Sequence, residues 1–161
     1  MPQPNYFSVM KIVTRNRKAY HDYDILEKVE AGVELHGSEV KSVRAGKVNL
    51  SDSYAQCRNG EIYVHHLHIS PYTQSSYYAP DPYRKRKLLL HKKEILHLSS
   101  EIDRKHLTLI PLQVYFKRQY VKMQLGLCRG RKKYDKRQEI HKKESKKNIA
   151  SLMRMKRNNA L

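Results

Sequence analysis

The sequence has few acidic residues: 15 Asp and Glu stand against 33 Lys and Arg in 161 residues. A nuclease needs paired carboxylates or a histidine with an acidic partner, and the acidic positions here are scattered. The P-loop, nucleophile-elbow and HExxH motifs are also missing from the sequence. We therefore predict that the protein is not an enzyme and has no cofactor.

Cysteine and long apolar runs are scarce as well. Cys57 and Cys128 do not form a C-x-x-C pair, which favours a reducing cytosol over a disulfide scaffold. Residues 1–10 lack the charged start and apolar run of a secretory signal, and no stretch approaches the roughly 20 apolar residues of a membrane span. We predict a cytoplasmic protein that does not associate with membranes.

Nine histidines raise the question of a metal site. His65, His66 and His68 form a cluster, but Cys or carboxylate ligands at zinc spacing do not accompany them. The sequence therefore disfavours a metal.

The formal net charge of +18 points to a polyanionic partner, because a compact chain with that charge repels itself. Nucleic acid is the first candidate and an anionic membrane surface ranks second; we predict nucleic acid and no membrane partner. Residues 129–161 hold 13 basic and 3 acidic residues, which is more than half of the net charge. Such tails are usually disordered alone and often bind nucleic acid. We predict a basic tail at residues 131–161 that is disordered alone and folds when bound.

Alternating apolar and polar residues predict a mainly β (α+β) domain over residues 16–130, after a flexible N-terminal segment at 1–15. Asn59-Gly60 predicts a tight hairpin turn, and Pro111 predicts an edge strand or a bulge. A change of apolar phase between Val64 and Leu67 predicts a second bulge. The predicted strands are Tyr20–Val29, Ser53–Arg58, Glu61–Ile69, Leu107–Phe116 and Tyr120–Leu127.

Two helices interrupt these strands. Ser38–Ala45 is predicted to begin with Ser38 as N-cap and to end at Gly46. His91–Lys105 carries Ile95, Leu98 and Ile102 at the spacing of an amphipathic helix. The pattern indicates an OB-like closed antiparallel β-barrel with flanking short helices and a basic C-terminal tail.

Two cationic segments of this domain are candidates for RNA binding. In the first helix, Lys41, Arg44 and Lys47 are spaced by three, so they can face outward from a rigid element; a solvated helix face is the alternative. The second segment is Tyr83–Lys87, which follows a loop with Tyr72, Tyr77 and Tyr78. Its cations and the nearby rings could stack on unpaired bases, or the loop could simply be exposed. Its candidate residues are Arg84, Arg86 and Lys87.

The tail is the third candidate. Its first part packs six cations around one Tyr and one Asp, and Ile149, Leu152 and Met153 form a short apolar patch at helical spacing. Such a segment could fold against a phosphate-lined groove, or it could remain a basic tail without a fixed bound structure.

Four ordered motifs resemble the SsrA-binding (small protein B) family. They are NRKAYHDY at residues 16–23, GSEVKSVRAGKVNLSDSY at 37–54, DPYRKRKLLL at 81–90 and GLCRGRKKYDKR at 126–137. The resemblance implies a factor of trans-translation that binds the tRNA-like domain of transfer-messenger RNA (SsrA). It further implies delivery of that RNA, alanyl-charged and with elongation factor Tu, to stalled ribosomes, for their rescue and for tagging of the nascent chain for degradation. We expect a monomer.

The resemblance also implies roles for individual residues. Seven match the family's surface that faces transfer-messenger RNA: Asn16, Arg17, His21, Glu30, Lys41, Arg44 and Lys47. The tail is implied to be helical in the ribosome, near ribosomal RNA of the decoding centre and in the messenger channel. Its ribosome-binding residues are Arg131, Lys132, Lys133, Tyr134, Asp135, Lys136, Arg137, Leu152 and Met153.

Three positions depart from the pattern of some relatives. Ser38 replaces an aromatic residue, Tyr134 stands where several relatives have His, and Ser145 falls near a Trp position. Each change alters one expected contact. Two other classes stay open from sequence alone: a structural ribosomal protein and an RNA-modifying enzyme or nuclease.

Overall fold

The structure, a computed structural model, describes residues 10–74 and 79–158. Tyr77, Tyr78 and the first nine residues of the expected flexible segment lie outside the described residues. The elements in chain order are β1 Met10–Arg15, α1 Arg17–Asp22, β2 Tyr23–Val33, α2 Gly37–Arg44, β3 Val48–Asn49, β4 Tyr54–Arg58, β5 Glu61–His65, β6 His68–Ile69, β7 Arg86–Leu89, α3 Lys92–Lys105, β8 Thr108–Lys117, β9 Tyr120–Gly130 and α4 Lys133–Asn158.

Strands β8, β4, β5, β7, β2 and β9 pair in that order, and β9 returns to pair with β8. All of these pairings are antiparallel, so the sheet closes on itself. Strand β1 pairs with the C-terminal half of β8, and the short strands β3 and β6 form a separate two-stranded sheet. The predicted OB-like closed barrel is confirmed.

The barrel interior is filled by the apolar residues that alternate along each strand. Ile62 and Val64 of β5 are fully buried, as are Met123 and Leu125 of β9. Helix α3 packs Leu98 into the same core, with Ile95 and Ile102 partly buried beside it. The predicted apolar face of this helix is therefore confirmed.

The turn and the irregularities of the strands lie at the positions that the sequence predicts. Asn59 and Gly60 both have positive φ and connect β4 to β5. The register between β8 and β9 shifts between Pro111 and Gln113, which is the predicted bulge. His66, with φ of 55°, separates β5 from β6 and lets Leu67 and Ile69 point inward after Val64.

Three local predictions were wrong. Residues 10–15 of the expected flexible segment form β1, because Lys11–Arg15 carries β-branched residues that extend beside β8. The predicted strand from Tyr20 begins only at Tyr23, since Asn16 caps a short helix before it. Helix α2 has His36 at its N-cap rather than Ser38, because the side chain of Glu39 accepts the His36 backbone N–H.

The chain divides into two compact units, one ending at Gly130 and the other beginning at Arg131. The second unit is built on α4, a helix of 26 residues. The helix expected for the bound tail is thus present, and the dependence of that helix on a partner stays a prediction.

We expect Gly126→Ala to destabilise the barrel by about 1–3 kcal/mol, the typical cost of overpacking a core. An added Cβ would lie 2.8 Å from Leu112 Cδ1 and 3.0 Å from Cys128 Sγ, and both of those side chains are fully buried. Gly37→Ala is the matched control, because nothing lies within 4 Å of a Cβ there. Urea unfolding of the two variants measures the difference, and equal stabilities would contradict this description of the core.

Candidate nucleic-acid interface

One buried carboxylate organises the candidate interface. Glu39 sits in the first turn of α2 and is 3 % exposed. Its Oε1 accepts hydrogen bonds from Arg84 Nε at 3.0 Å and from Arg86 Nε and Nη2 at 2.9 and 2.7 Å. Its Oε2 accepts from Arg84 Nη2 at 2.5 Å and from the His36 backbone at 2.9 Å. Helix α2 is therefore tied to the segment that leads into β7.

The acidity of Glu39 follows from these partners. Burial raises the pKa of this carboxyl group, but the hydrogen bonds from Arg84, the His36 backbone and Arg86 outweigh burial and hold it below its ordinary value. Glu39 is thus a permanent anion near neutral pH.

Arg86 has no exposed surface, so the prediction that its side chain contacts RNA is wrong. Besides Glu39, its guanidinium donates to the carbonyl oxygens of Leu67, Arg84 and Pro82 at 2.7–3.1 Å. The alternation of β7 explains this burial: Leu88 must face the core, and Arg86 lies on the same side of the strand. Arg86 supports the surface from beneath.

Asn16 is also wrong as a contacting side chain, because it is only 3 % exposed. Its Oδ1 accepts the Ala19 backbone N–H as the cap of α1. Its Nδ2 donates to the carbonyl oxygens of Leu50 and Pro111 at 3.1 and 2.9 Å. Asn16 fixes the start of α1, which carries Arg17 and His21 as exposed residues.

The three predicted cations of α2 and its C-terminal turn are exposed, as an RNA-facing role requires. Val43 of the same helix is buried in the core, which fixes the orientation of the opposite face. Lys41 Nζ lies 5.3 Å from the centre of the Tyr72 ring, and Arg44 Cζ lies 5.3 Å from that of Phe116. Gly46, with φ of 78°, ends the helix before Lys47. The cations are thus presented by a rigid backbone.

Glu30 lies on β2 with its side chain partly exposed. It accepts a hydrogen bond from Tyr115 Oη at 2.5 Å and from Lys117 Nζ at 3.2 Å. The Tyr115 bond is the largest influence on Glu30 and lowers the pKa of its carboxyl group, while burial raises the pKa of Tyr115. An ionised Glu30 repels phosphates and accepts hydrogen bonds, so it can select RNA groups that donate.

In the Tyr83–Lys87 segment, most cations have partners inside the barrel unit. Arg84 binds Glu39, and Lys87 Nζ lies 2.7 Å from Glu61. Lys85 Nζ lies 4.9 Å from the centre of the Tyr63 ring. Long-range pairing with carboxylates thus satisfies three of the four consecutive cations, Arg84, Arg86 and Lys87.

A groove at the ends of β7, β2 and β9 was not predicted from the sequence. Leu89 and Tyr120 are 51 % and 64 % exposed there. With Lys122 and Val40 they line a cavity of about 220 Å³. Leu89 is the second of three consecutive leucines, so the run itself does not show which of them is exposed. The alternation of side chains along β7 is the signal that could have identified Leu89 as exposed.

The predicted ribosome-binding residues of the tail lie on helix α4 and on the two residues before it. Lys132 and Arg137 are exposed, and Arg131 forms an ion pair with Glu139. The side chains of residues 133–136 lie outside what the structure describes, so Lys133, Tyr134, Asp135 and Lys136 are placed by backbone alone. Leu152 and Met153 are 60 % and 63 % exposed, so the apolar patch is uncovered within its own unit.

A closed OB-like barrel with rigidly held cations, joined to a separate basic helix, defines a class of nucleic-acid-binding proteins. The model of the family described as SmpB protein matches residues 13–155. The chain belongs to the SmpB protein family.

Individual relatives agree with this assignment. The SsrA-binding protein of Carboxydothermus hydrogenoformans is 52 % identical over 144 residues, which are 89 % of this chain and 97 % of the relative. The SsrA-binding protein of Caldicellulosiruptor bescii is 48 % identical over 154 residues, 96 % of this chain and 98 % of the relative. A solved structure described as "tmRNA-SmpB: a journey to the center of the bacterial ribosome" contains a chain with 53 % identity and a TM-score of 0.63, over 74 % of this chain and 85 % of that one.

Among the described residues, no helix has the length and hydropathy to cross a membrane. Within the same residues, no group of three or more His, Cys, Asp or Glu side chains is arranged to hold a metal ion.

We expect Glu39→Gln to destabilise the folded protein at neutral pH by about 3–5 kcal/mol, because Arg86 loses its buried anion. The lowered pKa of Glu39 means that its stabilisation is present above the unfolded value of about 4.3 and is lost as pH falls through the folded value. The unfolding free energy of the unchanged protein should therefore fall more steeply below about pH 5 than that of the variant.

Urea unfolding at a series of pH values measures both effects. Asp52→Asn is the control, since this carboxylate is 78 % exposed and pairs with Lys18 at the surface, so its loss should change stability much less. Equal acid slopes for the unchanged protein and Glu39→Gln would contradict the assigned role of Glu39.

Proposed function

We propose that this chain is an RNA-binding factor of trans-translation, which binds the tRNA-like domain of transfer-messenger RNA and delivers it to stalled ribosomes. Rescue of the ribosome and tagging of the nascent chain for degradation would follow. Membership of the SmpB family supports this function, as do relatives named SsrA-binding proteins and a similar chain in a structure of tmRNA-SmpB and the bacterial ribosome.

The observation that carries the proposal is the Glu39 network beneath the exposed cations of α2. Because the helix is anchored through Val43 and Glu39, its cations keep fixed spacing before any RNA is bound. A-form RNA hides most base edges in a deep major groove, so a protein recognises it through backbone shape and 2′-hydroxyls. Cations at fixed spacing are suited to that kind of recognition.

The proposed contact surface of the barrel is the corrected set of predicted residues. Its cations contact phosphates, and Glu30 accepts hydrogen bonds from RNA groups that donate them. The surface comprises Arg17, His21, Glu30, Lys41, Arg44, Lys47, Arg84 and Lys87, with Asn16 and Arg86 as buried supports.

The tail is proposed to act on the ribosome. Helix α4 has high positive charge and an uncovered apolar patch at Ile149, Leu152 and Met153. Neutralisation by ribosomal RNA of the decoding centre and messenger channel would offset the entropy of ordering the tail. Arg131–Arg137 would lie at the start of that contact.

Three further features belong to the same proposal. The chain acts as a monomer in the cytoplasm, and it works together with alanyl-charged transfer-messenger RNA and elongation factor Tu. Its role is to bind and position RNA, and we assign no catalytic step to it.

Replacing Lys41, Arg44 and Lys47 with Ala should weaken binding to the tRNA-like domain. Each lost phosphate contact should reduce the slope of log K against log salt by about 0.7–0.9, because fewer counterions are released. Fluorescence anisotropy over a range of salt concentrations measures affinity and slope together.

The matched control removes the same charge from α3, by changing Lys92, Arg104 and Lys105 to Ala. This control should retain tighter binding than the α2 variant. If both triple variants lost equal affinity, only net charge would matter and the proposed surface would be wrong.

Ending the chain after Gly130 should leave binding to free transfer-messenger RNA largely intact and abolish tagging on stalled ribosomes. The first compact unit ends at this residue, so the shortened chain keeps all of the described strands. A reconstituted tagging assay and a binding assay test the two halves of the statement. Normal tagging by the shortened chain would disprove the role of the tail.

A further inference from the structure

The β4–β5 hairpin presents a polar cavity of about 240 Å³ on the outer face of the barrel. Ile62 and Val64 point into the core, so Tyr63 and His65 of the same strand must point outward. Gln56 lies opposite Tyr63 on β4, and Arg58 and Lys85 line the same cavity. We call Gln56, Arg58, Tyr63, His65 and Lys85 the hairpin platform.

The aromatic rings of the platform are held in place. Tyr54 stacks on His65 with ring centres 5.1 Å apart and planes within 10° of parallel. Tyr63 donates a hydrogen bond from Oη to Glu61 Oε2 at 2.5 Å. The other oxygen of Glu61 binds Lys87 at 2.7 Å, so this carboxylate already has a cation beside it. Two planar rings are thus fixed two residues apart on one strand.

The remaining groups of the platform match the chemistry of an unpaired nucleotide. A base can stack on Tyr63 or His65, and the Gln56 amide can both donate to and accept from a base edge. The ammonium group of Lys85 lies over the Tyr63 ring at the end of a flexible side chain. When a base stacks on Tyr63, this ammonium group can move away and bind a phosphate. Arg58 adds a second cation at the cavity.

We propose that the hairpin platform is a second RNA-binding site, which takes unpaired nucleotides by stacking and backbone contact. Its lining residues do not belong to the surface proposed for the tRNA-like domain. An acidic peptide would use the cations alone, whereas flat bases use the Tyr63 and His65 rings and the Gln56 amide as well.

The test compares a short oligo(U) with an abasic ribose-phosphate oligomer of equal length, using the full chain. Both probes carry the same charge, so contacts to the tail contribute to both. Stacking of a base on an aromatic ring should make oligo(U) bind about 5- to 100-fold more tightly than the abasic probe. Changing Tyr63 and His65 together to Leu should remove most of that preference.

Tyr20→Leu is the matched control. This exposed ring also has a lysine over it, with Lys28 Nζ 5.5 Å from its centre, and it does not line the cavity. The control should keep the preference for oligo(U). Circular dichroism and binding of the tRNA-like domain should be unchanged in the platform variant, which separates this site from misfolding and from the proposed function.

Two results would overturn the proposal that the hairpin platform binds unpaired nucleotides. One is equal affinity of the unchanged protein for the two probes. The other is a preference for oligo(U) that survives in the Tyr63, His65 variant. Failure of the protein to bind the tRNA-like domain would count against the proposed function and would leave the comparison of the two short probes intact.

Discussion

The structure depends on one buried carboxylate in a strongly basic chain. Glu39 accepts five hydrogen bonds and joins α2 to the two arginines that precede and begin β7. Without that anion, Arg86 would be an unpaired charge inside the barrel, and its burial would cost several kcal/mol. The same contacts hold the cationic face of α2 at a fixed position over the sheet. Stability and the proposed RNA recognition are therefore coupled at a single residue.

Charge is used in two ways along this chain. On the barrel, Lys41 and Arg44 stand over aromatic rings, and a core residue sets the orientation of their helix. In α4 the described cations and the residues of the apolar patch are mostly exposed within their own unit. Fixed charge favours a folded RNA whose backbone shape it matches, while charge on a weakly supported helix can adapt to a groove. Under the proposed function, this division lets one chain serve both a tRNA-like domain and a ribosome.

Local patterns predicted most of the barrel. Period-two alternation located β4, β5, β8 and β9, and Asn59-Gly60 and Pro111 located a turn and a bulge. Long-range pairing could not be read from the sequence. Glu39 and Arg86 are 47 residues apart, and their contact exists only because the closed sheet brings α2 beside β7. Arg86 consequently looked like an exposed cation. The cations of α2 were correctly predicted to be exposed. Val40 and Val43 occupy the face of this short helix that packs on the core, so Lys41 and Arg44 lie on the face that remains in water.

In the proposed function, fixed charge on the barrel, rather than loose charge in the tail, recognises the tRNA-like domain. Ultraviolet cross-linking of the full chain to that RNA, followed by mass spectrometry of the linked peptides, tests it most directly. We expect cross-links in α1, in α2 and around Glu30, with few in residues 131–158 when ribosomes are absent. Cross-links confined to residues 131–158 would contradict it.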